Sequence, residues 1–155
     1  MMRLLRVAGV TGMVLWGVSA WAPHISGREQ AGAAPAGDGP VYVAYYWRAK
    51  PGRADEYNAY IKGTAEKIDE DARKAGAFIE VRTLLATTPA DGPAPDWTHL
   101  RIFTLPNMDA VAKLGPALDA AGTRVVPDDA QRKANSARSA ELRDAVRREV
   151  WTTLR

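Results

Sequence analysis

Val41-Tyr42-Val43-Ala44-Tyr45-Tyr46-Trp47 is an uninterrupted run of β-branched, aromatic and small apolar residues. Such density favours a strand over a helix, and a strand buried on both faces belongs in the interior of a sheet. Lys50-Pro51-Gly52 ends it. Over residues 53–75, Tyr57, Tyr60, Ile61, Ile68 and Ala72 recur at spacings of three, four and their sums, which defines one helical stripe. Asp55, Glu56, Lys62, Glu66, Lys67, Asp69, Glu70 and Asp71 are expected to cover the rest of that helix, and Gly76 to stop it.

The same reading extends to the C-terminus. Residues 77–86 (AFIEVRTLLA) form a second strand, and the prolines and glycine of 87–96 a connecting loop. Residues 97–105 (WTHLRIFTL) are the third strand. Pro106-Asn107 opens a helix over 108–121, in which Pro116 predicts a kink or early break. Pro127-Asp128-Asp129 starts another helix, expected to run to about Arg148, and Val150 to Leu154 supplies a last strand. The order β-α-β-β-α-(α)-β predicts an α+β, ferredoxin-like split βαβ domain, an antiparallel sheet with helices on one face.

Upstream of residue 41 the chain reads differently. Arg3 and Arg6 precede an apolar run from Val7 to Trp21, and Ala20-Trp21-Ala22 has the small-x-small pattern of a cleavage site. Residues 1–22 are therefore expected to be a signal peptide cut after Ala22, with a secreted or periplasmic product; an uncleaved anchor is the alternative. Residues 23–40, rich in Ala, Gly and Pro, read as a flexible spacer before a domain at 41–155. Loss of Arg3 and Arg6 leaves 19 basic against 18 acidic residues, a net charge of +1 in place of +3. These charges alternate in sign, which argues against nucleic acid and, after cleavage, against a membrane surface as partner. The chain lacks cysteine and has two histidines, His24 and His99, too few for a structural zinc site, so no metal is expected.

Strand alternation assigns side chains to faces. In the third strand Thr98, Leu100 and Ile102 are the more apolar set and are expected beneath the helices. That sends Trp97, His99, Arg101 and Phe103 to the bare face. Ile79, Val81 and Leu85 take the helical side of the second strand, and Phe78, Glu80, Arg82 and Leu84 the bare side. Tyr42, Ala44 and Tyr46 join the bare face from the first strand, with Trp151 and Thr153 from the last. So broad an aromatic patch is rarely left to water, which predicts a two-fold homodimer with facing sheets.

A strand ending in Lys50-Pro51-Gly52, the Asp55-Glu56-Tyr57 helix opening and Pro106-Asn107-Met108-Asp109 make the region 41–155 resemble the dimeric α+β barrel superfamily. That group includes antibiotic-biosynthesis-type monooxygenases, muconolactone isomerases, EthD-like and NIPSNAP-like proteins and chlorite dismutases. The resemblance implies a dimeric barrel with a small aromatic or polyketide-like molecule, or haem, beside the bare face. The long segment 128–148 departs from the minimal fold.

No Walker loop, G-x-G-x-x-G, H-E-x-x-H or G-x-S-x-G is present. The remaining constellation is Tyr42, Tyr46, Glu80, Arg82, Trp97, His99, Arg101, Phe103 and Trp151. Beside Glu80, His99 could serve as general base, with Arg101 or Arg82 holding a developing enolate or phenolate. Tyr42, Tyr46, Trp97, Phe103 and Trp151 would wall a ring-shaped ligand. The plainer reading is cross-strand ion pairs, packing aromatics and a structural histidine. Three functions follow: a non-catalytic dimeric module binding a small aromatic ligand, a cofactor-free monooxygenase or isomerase, and a haem protein. No cofactor is expected under the first two. The third suffers because His99 lies on a strand, whereas related haem binders present the axial histidine from a helix.

Overall fold

A computed structural model of the chain describes residues 39–87 and 92–154. The leader at 1–22 and nearly all of the spacer lie outside the described residues. The run at 41–47 becomes strand β1, Val41–Ala49. Lys50-Pro51-Gly52 turns the chain, with Gly52 at φ +73°, a conformation costly for any residue with a Cβ. The helical stripe is realised as α1 (Ala54–Tyr60), a π-turn (Ile61–Ala65) and α2 (Glu66–Lys74). Gly76 ends it at φ +80°, and Gly76 and Ala77 donate their N–H groups to the carbonyls of Arg73 and Ala72. Strands β2 (Glu80–Leu85) and β3 (His99–Leu105) follow, then α3 (Asp109–Val125), α4 (Asp129–Leu142) and β4 (Arg143–Thr152).

All pairings are antiparallel, and the sheet order is β2-β3-β1-β4. With helices on one side, this is the ferredoxin-like α+β fold. β1 is interior, as its composition requires: β3 lies on one side and β4 on the other. The main core gathers Val41, Val43, Phe103 and Leu105 from the sheet with Ala72, Leu114 and Ala121 from the helices. Each large side chain buried here stabilises the fold by roughly 1.5–3 kcal/mol.

Several local expectations are corrected. The last helix stops at Leu142, and β4 begins at Arg143 instead of Val150. No glycine or proline marks that junction. β1 needs a partner along its whole length, and Arg143 is drawn into extended backbone (φ −148°, ψ 161°) opposite Ala49, next to a hydrogen bond from the Lys50 N–H to the Leu142 carbonyl. Val146, within the span expected to be helical, sits at a bulge opposite Tyr46/Trp47 and packs on the bare face of the sheet. Helix α3 runs on through Pro116 to Val125. Phe78, expected on the bare face, is in the core, while Ile79 is exposed. Thr153 lies beyond the end of β4.

Candidate functional site

The β1–β3 register decides which face each side chain takes, because directly opposed residues share a face. Val41 opposes Leu105, Val43 opposes Phe103, Tyr45 opposes Arg101 and Trp47 opposes His99. The first two pairs are packed under α2 and α3, so Arg101 and His99 face the helices too. This reverses the expected phase of β3: His99, Arg101 and Phe103 leave the bare face, and Leu100 and Ile102 take it. The apolarity rule fails because both faces of β3 are largely buried and the inward polar residues meet partners on α1 and α2. Neither partner is in the same part of the sequence.

Tyr42, Tyr46, Glu80, Arg82, Trp97 and Trp151 remain together on the bare face. Glu80, Thr104, Tyr42 and Trp151 form one cross-strand row, and Arg82, Ile102, Ala44 and Glu149 the next. Tyr46 makes edge contacts with Trp97 and Trp151 at centroid distances of 5.6 and 6.4 Å. Its hydroxyl donates to Glu149 Oε2 (2.9 Å), and the Arg147 guanidinium covers its ring at 3.9 Å. Arg147 Nη1 reaches Asp96 Oδ1 (3.0 Å), tying the loop before β3 to this face. Glu80 pairs with exposed Arg82 (2.8 Å). Lying on the opposite side of the sheet from His99, it cannot orient the imidazole.

The helix-covered side holds a polar cluster that the sequence reading missed. His99 is 2% exposed, edge-on to the Tyr57 ring at 4.6 Å. Its Nε2 lies 3.0 Å from Asn58 Oδ1 and its Nδ1 2.8 Å from Thr98 Oγ1. The amide oxygen only accepts, so Nε2 donates to it, and Nδ1 faces the Thr98 hydroxyl, whose single proton is shared between Nδ1 and the Trp47 carbonyl (3.3 Å). Thr98 in turn accepts the Ala49 N–H at 2.7 Å. Burial first, and then the nearby Arg143 charge, hold the His99 pKa below the ordinary imidazole value. The ring is neutral at physiological pH.

Two arginines flank this ring. Arg101 forms an ion pair with buried Asp69 of α2. Asp69 was expected on the solvent face of its helix. It instead sits on the buried stripe, and burial raises its pKa against the lowering pull of Arg101. Arg143 enters from β4. Its guanidinium carbon stands 3.2 Å above the Trp47 ring and 5.6 Å from that of Tyr57, and its Nε donates to Ser139 Oγ at 3.0 Å. Tyr45 stacks on Trp47 (6.1 Å, 7°) and meets Phe103 edge-on. Arg101 Nε and Arg143 Nη1 are buried and have no hydrogen-bond partner among the described residues. A buried guanidinium N–H left without an acceptor is costly, and such groups are few in native structures.

Arg101 and Asp69 also contribute to the lining of a groove of about 920 Å³ between α2 and edge strand β2. Charges of both signs line it, including Lys62, Lys67, Glu66 and Glu70, with Ile79, Val81 and Thr83 on the strand side. Along the helical segment the π-turn lies between Asn58 and Asp69, and such turns recur at functional sites.

The arrangement does not suit haem ligation, since both nitrogens of His99 are already engaged and the ring is enclosed. Among the described residues no group of three or more His, Cys, Asp or Glu side chains could hold a metal ion, and no helix is long and apolar enough to cross a membrane.

No family model and no curated protein matches the chain. Solved structures do resemble it. An EthD-like protein from Ralstonia eutropha JMP134 is 12% identical, with a TM-score of 0.48 over 74% of this chain and 92% of that one. HapK from Hahella chejuensis is 10% identical, TM-score 0.46, over 74% and 92%. SnoaB, a cofactor-independent oxygenase from Streptomyces nogalater, is 13% identical, TM-score 0.45, over 76% and 95%. The likeness is one of fold.

Proposed function

We propose that the chain is an exported, dimeric binding domain for a small acidic aromatic molecule, held on the helix-covered side of its sheet. One observation carries this reading: two buried guanidinium N–H groups, on Arg101 and Arg143, lack acceptors beside the ring faces of Tyr45, Trp47 and Tyr57. Such a surround offers flat apolar contact and a small number of directed polar points, which is how small-molecule sites achieve affinity and orientation. Of these residues, Arg101 also lines the α2–β2 groove.

Because Trp47 lies directly under Arg143, intrinsic fluorescence reports the site. Titration with salicylate and with 2-naphthoate should give saturable quenching, and Arg101→Met and Arg143→Met should each weaken it by about tenfold, the worth of one charge-assisted hydrogen bond. Absence of saturation into the millimolar range, or indifference to both substitutions, would overturn the proposal. The dimer uses the bare face, where Trp151, opposite Tyr42, and Leu84, opposite Leu100, are 40% and 46% exposed. Sedimentation of the purified protein tests that pairing.

A cofactor-free oxygenase or isomerase is the second reading, favoured by the neutral state of His99. Its free-base nitrogen, Nδ1, faces Thr98, so a substrate proton would have to arrive by way of that hydroxyl. In this case His99→Asn should abolish turnover while leaving ligand affinity near that of the parent.

A further inference from the structure

Strand β2 is an edge of the sheet, and its outer rim is uncovered among the described residues. Residues along an antiparallel strand turn their backbone groups toward the neighbour in alternation. The Ala86 N–H donates to the Thr98 carbonyl and continues the β2–β3 register, so Leu84, Arg82 and Glu80 are the residues that bond to β3. The N–H and C=O groups of Val81, Thr83 and Leu85 therefore point away from the sheet. No backbone group among the described residues bonds to them. All of β2 except half-buried Val81 is exposed, and Ile79 and Leu85, flanking the rim, are 55% and 56% exposed. Free backbone groups with apolar flanks make a template for another strand.

The rim borders the α2–β2 groove, which Ile79, Val81 and Thr83 line from the strand side. Five cationic and five carboxylate side chains also line it. Two of those carboxylates, Asp71 and Glu80, are bonded to Arg124 and Arg82, which lie outside the lining. That leaves the lining two cations in excess. Lys62 and Lys67 are exposed on the helical wall and form no ion pair among the described residues.

We infer that β2 accepts an extended acidic peptide as a fifth, antiparallel strand, with its carboxylates on the groove side. In that pairing the peptide residues opposite Val81, Thr83 and Leu85 exchange backbone bonds with β2, and their side chains share the face of Val81 and Thr83. Acids at these alternate positions meet the cation excess. The residues between them lie beside Leu84 on the bare face. A second copy of this chain would bring the same excess of cations to the seam, which favours a foreign acidic segment over self-pairing. The site uses neither Arg143 nor the aromatic rings, so it stands apart from the function proposed above.

Fluorescence anisotropy on the purified protein, with a fluorescein-labelled octapeptide of alternating Glu and Val, tests the inference. Saturable binding is expected, with the Lys-Val counterpart weaker by about tenfold or more. Lys62→Glu combined with Lys67→Glu should reverse that preference. N-methylation of the Glu residues should abolish binding, because their N–H groups face β2, whereas N-methylation of the Val residues should spare it. Thr83→Pro removes an outward N–H without breaking a bond to β3, and should also abolish binding. Its unfolding transition shows whether the fold survives, and the N-methyl peptides probe the same bonds with the chain unaltered. Equal binding of acidic and basic peptides, indifference to the site of N-methylation, or no binding into the millimolar range would overturn the inference. So would self-association that Thr83→Pro abolishes, which would make a second copy the occupant. Titration with aromatic acids reads the other site separately, so either proposal can fail alone.

Discussion

Strand β3 sends alternate side chains into two very different surroundings. Toward the helices go His99, Arg101, Phe103 and Leu105, where each polar group meets a partner on α1, α2 or the strand's own N-terminal end. Toward the bare face go Leu100, Ile102 and Thr104, beside Tyr46, Trp97 and Trp151, where the Tyr46 hydroxyl donates to Glu149 and Arg147 pairs with Glu149 and Asp96 at the margin. The covered face thus buries its charges and leaves two N–H groups unmet. The bare face keeps its charges at the rim and leaves apolar area unmet. A shortage of acceptors calls for a small ligand, and a shortage of apolar cover calls for another protein surface.

The largest expected effect tests the covered face as core. Leu105→Ala should cost about 2–5 kcal/mol in urea unfolding, because a fully buried leucine leaves a cavity there. Ile102→Ala, one alternation away on the bare face, should cost clearly less under dilute conditions that separate subunits. Equal costs would mean the bare face is already covered within one chain. Next is Asp69→Asn, which strands the Arg101 charge and should cost about 3 kcal/mol. Neutralising exposed Glu80 on the other face should leave the melting temperature unchanged.

Trp151→Glu places a charge on the face of the proposed dimer seam. It should shift sedimentation from dimer to monomer without altering aromatic-acid binding under the helices. Simultaneous loss of both would show that the two faces act as one site. The smallest effect is in pH. The folded His99 pKa is depressed, so its contribution to stability is complete above the ordinary imidazole value of about 6.5 and is lost as pH falls below it. Melting temperature should drop on acidification from about pH 7 to 5, and His99→Gln should flatten that drop.

Much of the fold was legible. VYVAYYW had the composition of an interior strand, Tyr57, Ile61, Ile68 and Ala72 marked a buried stripe, and Gly52 and Gly76 marked turns that need positive φ. The site was less so. Tyr42, Tyr46, Arg82, Trp97 and Trp151 were correctly grouped on one face, but His99, Arg101 and Phe103 were placed with them. A strand with both faces buried has no single apolar phase to read. One signal was present and passed over: Asp69 stands eight residues after Ile61 and three before Ala72, on the buried stripe itself. Asn58 and Arg143 gave no comparable sign, the first being ordinary on a helix and the second lying in a segment whose charge pattern suits a helix equally well.

Local chemistry in the chain therefore determined the kinds of element, their order and the α+β class, because propensity, periodicity and turn residues act over a few positions. Only the tertiary structure decided which face of β3 looks at the helices, where α4 yields to β4, and that Arg143 stands over Trp47 and Tyr57. Those outcomes depend on strand register and on partners 30 to 100 residues away, interactions that no local pattern encodes.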